Sequence, residues 1–156
     1  MQIRVATLID YKNIIEIGAE VFATLQNKAQ FNWPADLLQQ ELENVRTLVV
    51  ETTVENKKNI TSFLCYRDLI DCYEISVLAT RKIEQKKNLQ TALINELQAI
   101  AALQQKFISL EVHCKNQIAI NLYLKLGFIL VRTRRHYYSD QADALILNWN
   151  SNKAGC

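Results

Sequence analysis

The sequence of 156 residues predicts a single α/β domain, built on one mixed β-sheet with helices on both faces. The first observation is the order of strand-like and helix-like runs, β-α-α-β-β-β-α-β-α-β-β. The second is the segment 74–113, which reads as strand, helix, strand and so predicts a right-handed crossover between parallel strands. The third is the scarcity of turn residues, three glycines and one proline, which disfavours a loop-rich all-β fold.

The first half of the chain begins with a strand-like run and ends in a meander. Residues 3–8 (IRVATL) alternate and predict a strand, and residues 10–22 have helical spacing, with Asp10 as the N-cap. Pro34 fits the first turn of a second helix, because its missing N–H would be unpaired there in any case. Residues 46–79 hold three β-rich runs separated by turn-like residues, which predicts an antiparallel meander.

The second half predicts two helices that alternate with strands. Apolar residues share one face of a helix that runs to about residue 105: Leu89, Leu93, Leu97, Ile100 and Ala101. Residues 107–113 (FISLEVH) predict a strand, and residues 117–127 predict a helix that Gly127 ends in a left-handed conformation. Residues 128–138 and 143–149 predict the two closing strands.

Composition narrows the class of protein. With 49% hydrophobic and 22% charged residues, one globular domain is expected over residues 1–150, followed by a tail at 151–156. A net charge of +2 is too small to indicate a polyanionic partner such as nucleic acid. The four cysteines form no C-x-x-C pair and there are two histidines, which disfavours a metal site. The sequence shows neither a membrane-spanning run nor a leader-like apolar segment, so a cytoplasmic protein is expected.

A basic, polar loop (RKIEQKKNLQTALI, 81–94) joins the meander to the next helix. If the strand ends near Thr80 and the helix begins near Asn88, the unpaired N–H groups of the first helical turn make an anion site. The cations of the loop are Arg81, Lys82, Lys86 and Lys87. A solvated basic turn would show the same pattern, so both interpretations stay open.

Three polar side chains in the second half are candidates for chemistry. Glu111 lies in mid-strand on the side opposite Leu110, where a carboxylate needs a partner or a water-filled cleft. Either it has a functional role, or it is a surface-facing or salt-bridged glutamate. Tyr123 has the spacing of a core tyrosine, and Asn116 precedes a helix, where N-capping is the ordinary role. Residues 132–138 (RTRRHYY) interleave basic and aromatic residues, which indicates nucleic-acid contact only weakly and also suits the end of a sheet.

A set of short motifs fills the C-terminal half of the chain. They are Leu-Glu-Val at 110–112, Asn116, Leu-Tyr-x-x-Leu-Gly-Phe at 122–128, Arg-Arg-x-Tyr-Tyr at 134–138 and Asp-Ala at 143–144. Together they resemble the RimI-like N-terminal acetyltransferases of the GNAT superfamily, and the predicted order of elements agrees with the GNAT fold. The run FNWPADLLQQEL at 31–42 is similar to the tryptophan-marked start of the family's second helix.

The resemblance implies an acyltransferase that moves an acetyl group from acetyl-CoA, without a metal, to the N-terminal amine of a protein. A ribosomal protein is one candidate acceptor, as for the RimI namesake, and the chain is expected to be a monomer or a weak dimer. Carried over, Glu111 helps to take a proton from the amine, through water, and Tyr123 protonates the leaving CoA thiolate. This chemistry is reasonable, because an N-terminal ammonium with a pKa of about 8 must lose a proton before it attacks.

The resemblance also implies binding residues. For the cofactor they are the strand residues Leu78, Ala79 and Thr80, the loop and helix residues Lys86, Lys87, Asn88, Leu89, Gln90 and Thr91, and Asn116. For the acceptor they are Trp33, Tyr137 and Tyr138.

The loop departs from the family pattern Gln/Arg-x-x-Gly-x-Gly/Ala, because Asn88 and Gln90 occupy both glycine positions. Asparagine is among the few residues that adopt positive φ, whereas Gln90 places a side chain where backbone would approach phosphate. Two outcomes follow. Either Lys86, Lys87 and Gln90 replace part of the backbone cradle in an active acetyltransferase, or CoA binds weakly and a non-catalytic GNAT-fold protein binds a peptide or protein partner.

Overall fold

The computed structural model describes residues 1–22, 42, 44–54 and 56–151. Within them the strands are β1 Gln2–Val5, β2 Arg46–Val54, β3 Lys57–Asp68, β4 Cys72–Thr80, β5 Phe107–His113, β6 Ile129–Arg134 and β7 Ala144–Trp149. The α-helices of this part are α1 Tyr11–Phe22, α2 Leu89–Leu103 and α3 Gln117–Lys125. The predicted second helix, with Trp33 and Pro34, lies outside the described residues.

The strands form one seven-stranded sheet in the order β1-β2-β3-β4-β5-β7-β6. Strands β2, β3 and β4 are the antiparallel meander that was predicted. Strands β4 and β5 pair in parallel, because the chain crosses between them through α2. The mixed sheet and the predicted α/β class are therefore confirmed.

Helices cover both faces of the sheet, as predicted. On one face, Leu93 of α2 and Tyr123 of α3 pack in a cluster with Leu110 of β5. On the other, Ile14 of α1 packs in a second cluster with Phe63 of β3. We call these sides the α2 face and the α1 face. No helix among the described residues has the length and apolar character needed to cross a membrane.

The start of the chain differs from the prediction. Strand β1 ends at Val5, and Leu8–Asp10 forms a 3₁₀ turn before α1. Asp10 is not the N-cap of α1, because its carboxylate accepts a hydrogen bond from the Thr7 N–H (2.8 Å) and pairs with Arg4 (2.7 Å). The hydrogen bonds from the Arg4 guanidinium lower the pKa of Asp10 to about 2. Asp10 therefore ties the turn to β1 rather than starting the helix.

Gly127 ends the last helix, as predicted. Its φ of 82° lies in the left-handed region, which glycine adopts without a Cβ clash. The reversal brings Phe128 into the core, where its ring centroid lies 5.6 Å from that of Tyr123. The turn at Gly127 thus positions Phe128 against Tyr123, a candidate catalytic residue.

Candidate active site

Strands β4 and β5 pair at only one end. Their register stops at Ile75 opposite Leu110, although β4 continues to Thr80 and β5 to His113. Ser76 is an extra residue in the pairing of β4 with β3, and such a bulge bends its strand. The two strands consequently part and leave a gap in the sheet.

A cavity of about 230 Å³ occupies this gap and reaches both faces of the sheet. Val77, which packs on the α1 face, and Val112, which packs on the α2 face, both line it. Glu111 points away from the α2 face, whereas Tyr123 packs on that face, yet both residues also line the cavity. The gap therefore brings together two candidate catalytic residues that the sheet would otherwise separate.

Glu111 is held by an ion pair. Its Oε1 lies 2.6 Å from a terminal nitrogen of Arg134, and 26% of its side chain is exposed. The Arg134 guanidinium also lies 5.2 Å from the centroid of the Tyr137 ring, which is half exposed and is not among the cavity-lining residues. The salt-bridged interpretation is thus correct for Glu111, and the same residue also lines the cavity.

Tyr123 is a buried tyrosine with an available hydroxyl. It is 8% exposed, and burial raises its pKa to about 12. Among the described residues, its hydroxyl has no hydrogen-bond partner. A hydroxyl that stays protonated and faces a cavity can donate a proton to an anion that forms there.

Sequence reasoning missed a cluster around His113, which is 3% exposed and lines the same cavity. Its Nδ1 accepts a hydrogen bond from the Lys115 N–H (3.1 Å), so the ring proton sits on Nε2, 3.3 Å from Asp140. The ring stacks on Tyr138 at 4.6 Å, and burial raises the pKa of Tyr138, another cavity residue, to about 12. The period-two alternation of β5 already placed His113 on the side of the candidate glutamate, and that signal could have found it.

A second cavity, of about 460 Å³, follows the loop before α2. From the loop and helix start it is lined by Thr80, Glu84, Gln85, Lys86, Asn88, Leu89, Gln90 and Thr91. Within the described part of the chain, four residues line both cavities: Gln90, Asn116, Ile118 and Leu122. The two cavities therefore form one groove, which leads from the loop to the gap in the sheet.

The loop makes its sharp turns without glycine. Asn88 has φ 57° and ψ 22°, and Lys86 has φ 69°, so both adopt the left-handed conformation. Asn88 thus takes positive φ, as its residue type suggested. Helix α2 begins at Leu89, and the N–H groups of its first turn have no partner within the helix. These groups border the second cavity.

The cations of the loop are less available than the sequence suggested. Among the four, Lys86 alone lines the second cavity. The Lys87 ammonium binds Glu84 at 2.8 Å, and Arg81 lies 3.6 Å from Glu20 of α1. Arg81 therefore anchors the loop to α1 instead of facing the groove.

The other predicted cofactor residues are distributed along the groove. Leu78 lines the first cavity and Thr80 the second, whereas Ala79 packs in the core of the α1 face. Asn116 caps α3, its Oδ1 accepting from the Ala119 N–H at 3.2 Å, and it also lies where the cavities join. The capping interpretation is confirmed, and it does not remove Asn116 from the groove.

Comparison with known proteins decides the family. Residues 15–128, more than half of the chain, match the model of the Acetyltransferase (GNAT) family. The chain belongs to the GNAT acetyltransferase family. Over 40 residues it is 52% identical to an N-alpha-acetyltransferase from Sulfurisphaera tokodaii, a match that spans 26% of this chain and 24% of that relative.

Solved structures share the fold of this chain. The ribosomal-protein-S18-alanine N-acetyltransferase from Escherichia coli has a TM-score of 0.78 at 23% identity, covering 96% of this chain and 92% of its own. NAA60 from Arabidopsis thaliana, in complex with acetyl-CoA, has a TM-score of 0.76 at 15% identity, covering 97% and 98% of the two chains.

The groove suits the co-substrate of a GNAT acetyltransferase. The N–H groups of the α2 first turn and Lys86 are donors suited to a pyrophosphate. Beyond Ile75, the edge of β4 that faces the gap has no β5 partner and can hydrogen-bond an amide-bearing arm. These donors and acceptors therefore fit the pyrophosphate and the amide groups of acetyl-CoA.

Gln90 stands where the two cavities join, and shortening it should tighten acetyl-CoA binding. We expect Gln90→Gly to lower the dissociation constant by roughly fivefold, about 1 kcal/mol, because a side chain leaves the ligand's path. Gln90→Ala is the control, since it removes the same side chain without adding backbone freedom, and it should keep most of the gain. Calorimetric titration checks both variants. Weaker binding by both would show that the Gln90 amide itself holds the ligand.

Proposed function

We propose that this chain is an acetyl-CoA-dependent N-acetyltransferase that acts on the N-terminal amine of a protein or peptide. The observation that carries the proposal is the meeting of Glu111 and Tyr123 in one cavity, at the end of a groove from the α2 loop. The N-alpha-acetyltransferase relative supports an N-terminal amine as acceptor. A ribosomal protein, the substrate named for the Escherichia coli neighbour, is the first acceptor to test.

In this mechanism acetyl-CoA, when bound, supplies a thioester whose carbonyl carbon is the electrophile. Glu111 accepts, through water, the proton that the acceptor ammonium loses, which frees the lone pair of the nitrogen. The carbon–nitrogen bond forms and the carbon–sulfur bond breaks, and Tyr123 donates its proton to the sulfur. The second proton lost by the nitrogen restores Tyr123 through water, and Glu111 releases its own proton to solvent.

A second candidate is a GNAT-fold protein that binds a peptide or protein partner without catalysis. The observation that favours it is the loop, where Gln90 stands in the groove and the Lys87 ammonium is paired with Glu84. In this case the gap would bind a peptide N-terminus, but CoA would bind too weakly for turnover.

Mass analysis of peptides incubated with the protein and acetyl-CoA separates the two candidates. Peptides that begin with Ala, Ser, Thr or Met and carry an internal lysine should gain one acetyl group, at the N-terminal nitrogen. The same peptides with a blocked N-terminus are the matched control and should stay unmodified. Acetylation of the blocked peptides would assign a lysine acceptor instead, and the absence of any acetylated peptide would favour the non-catalytic candidate.

A further inference from the structure

Strand β6 carries two arginines on the same side of the sheet as Glu111. Strand β7 lies between β5 and β6, and Ile146 is the Cα partner of both Glu111 and Arg132. Ala144 in turn is the Cα partner of Arg134. Directly paired residues point to the same side of a sheet, so both arginines face the side of Glu111.

A bulge in β6 produces this arrangement. Leu130 pairs with Leu147, and Arg132 pairs with the preceding residue of β7, so Val131 is an extra residue. Without it, residues two apart would share a face, and Arg132 would point with Leu130 towards the α2 face. Bulges commonly redirect side chains beside functional sites. Here the bulge adds a cation to the side from which an acceptor reaches Glu111.

Among the described residues, the arginines on this side of the sheet outnumber the carboxylates that pair with them. Arg134 pairs with Glu111, and 41% of its side chain stays exposed. Arg132 is exposed and has no ion pair or hydrogen bond with another described residue. The neighbouring carboxylates are engaged elsewhere, Asp140 with His113 and Lys115, and Asp143 with a backbone N–H. Among the residues that the structure describes, two guanidinium groups thus face one carboxylate.

The spacing suits the side chains that follow an acceptor amine. Adjacent strands lie about 4.8 Å apart, so β6 is roughly 10 Å from β5 across β7. An extended peptide advances about 3.5 Å per residue. With the amine at Glu111, the second and third side chains of the peptide therefore lie within reach of β6.

We propose that Arg132 and Arg134 form a carboxylate-binding subsite, which selects acceptors with Asp or Glu as the second or third residue. The inference rests on the proposed function, because it places the acceptor amine at Glu111. When the acceptor amine binds at Glu111, the acidic side chain of the peptide pairs with Arg134. This new ion pair replaces the one between Arg134 and Glu111. Arg132 supplies the second guanidinium and needs no existing contact to be broken.

Three peptides that are identical except for Glu, Gln or Lys at both the second and third positions test the subsite. Their dissociation constants are measured with CoA present, and their kcat/KM values with acetyl-CoA. The Glu peptide should bind at least roughly fivefold more tightly than the Gln peptide, and the Lys peptide most weakly. Added salt should shrink these ratios, because exposed charges are screened.

Two variants test whether the preference for the Glu peptide over the Gln peptide depends on Arg132. Arg132→Gln should bring the Glu-to-Gln ratio close to one, whereas Arg135→Gln, a change in the adjacent turn, should leave the wild-type ratio. Equal values for the Glu and Gln peptides in the wild type, with both acetylated, would overturn the subsite and leave the acetyltransferase proposal intact. A binding preference without acetylation would support the subsite and count against the acetyltransferase. Absence of peptide binding would overturn the subsite.

Discussion

Glu111→Gln is expected to lower kcat/KM for an N-terminal acceptor by roughly 100-fold or more, the usual contribution of a positioned general base. The amide keeps the size of the side chain and cannot accept the proton of the ammonium. Acetyl-CoA affinity should change little, because Glu111 points away from the α2 face, where the groove residue Leu122 packs. The melting temperature should change slightly, since the lost ion pair with Arg134 is partly exposed.

Glu74→Gln is the matched control for this variant. Glu74 is paired with Arg67 and lies on the same side of the neighbouring strand, opposite Ser109. It does not line either cavity. We therefore expect wild-type kinetics from the control. If Glu111→Gln kept the wild-type kcat/KM across the pH range, the acceptor amine would lose its proton by another route. Glu111 would then not be the general base.

Tyr123→Phe is expected to reduce kcat by roughly 100-fold while acetyl-CoA affinity and the melting temperature stay near wild type. The hydroxyl makes no hydrogen bond with another described residue, so its removal breaks no structural contact, and Phe fills the same space against Phe128. Tyr73→Phe is the control, because Tyr73 is also buried in the α2-face cluster but lines neither cavity. A parallel loss of stability in Tyr123→Phe, with kcat unchanged, would restrict Tyr123 to a structural role.

The pH dependence of kcat/KM in the wild type gives a second test of the role of Tyr123. A buried phenol with a pKa of about 12 stays protonated throughout the range in which the acceptor amine titrates, near pH 8. The kcat/KM value should therefore rise as the ammonium loses its proton and then level off. It should not fall near pH 10, where an ordinary tyrosine ionises. A falling limb there that disappears in Tyr123→Phe would contradict the burial of the acid.

Local patterns in the sequence predicted the elements that frame the site. The left-handed conformations of Gly127 and Asn88 follow from residue type, and the period-two alternation of β5 put Glu111 opposite the core. These features depend on a few neighbouring residues, so the order of elements and the family motifs were enough to predict them.

Features that depend on strand register could not be predicted in this way. The bulges at Ser76 and Val131 become visible only when each strand is aligned with its partner. The first opens the gap between β4 and β5, and the second places Arg132 on the side of Glu111. The pairing of Arg81 with Glu20 joins residues far apart in the chain and removes a cation assigned to the loop. For this reason the residue types at the site were predictable, but their partners were not.

The proposed acetyltransferase activity requires that the loop without glycine bind acetyl-CoA. A calorimetric titration of acetyl-CoA into the wild-type protein tests this binding most directly. The left-handed Lys86 and Asn88, with the first turn of α2, should give saturable binding with a dissociation constant well below millimolar. Tyr123→Phe should keep that affinity. If acetyl-CoA gives no binding at millimolar concentration, the groove does not hold the co-substrate and the acetyltransferase account is contradicted.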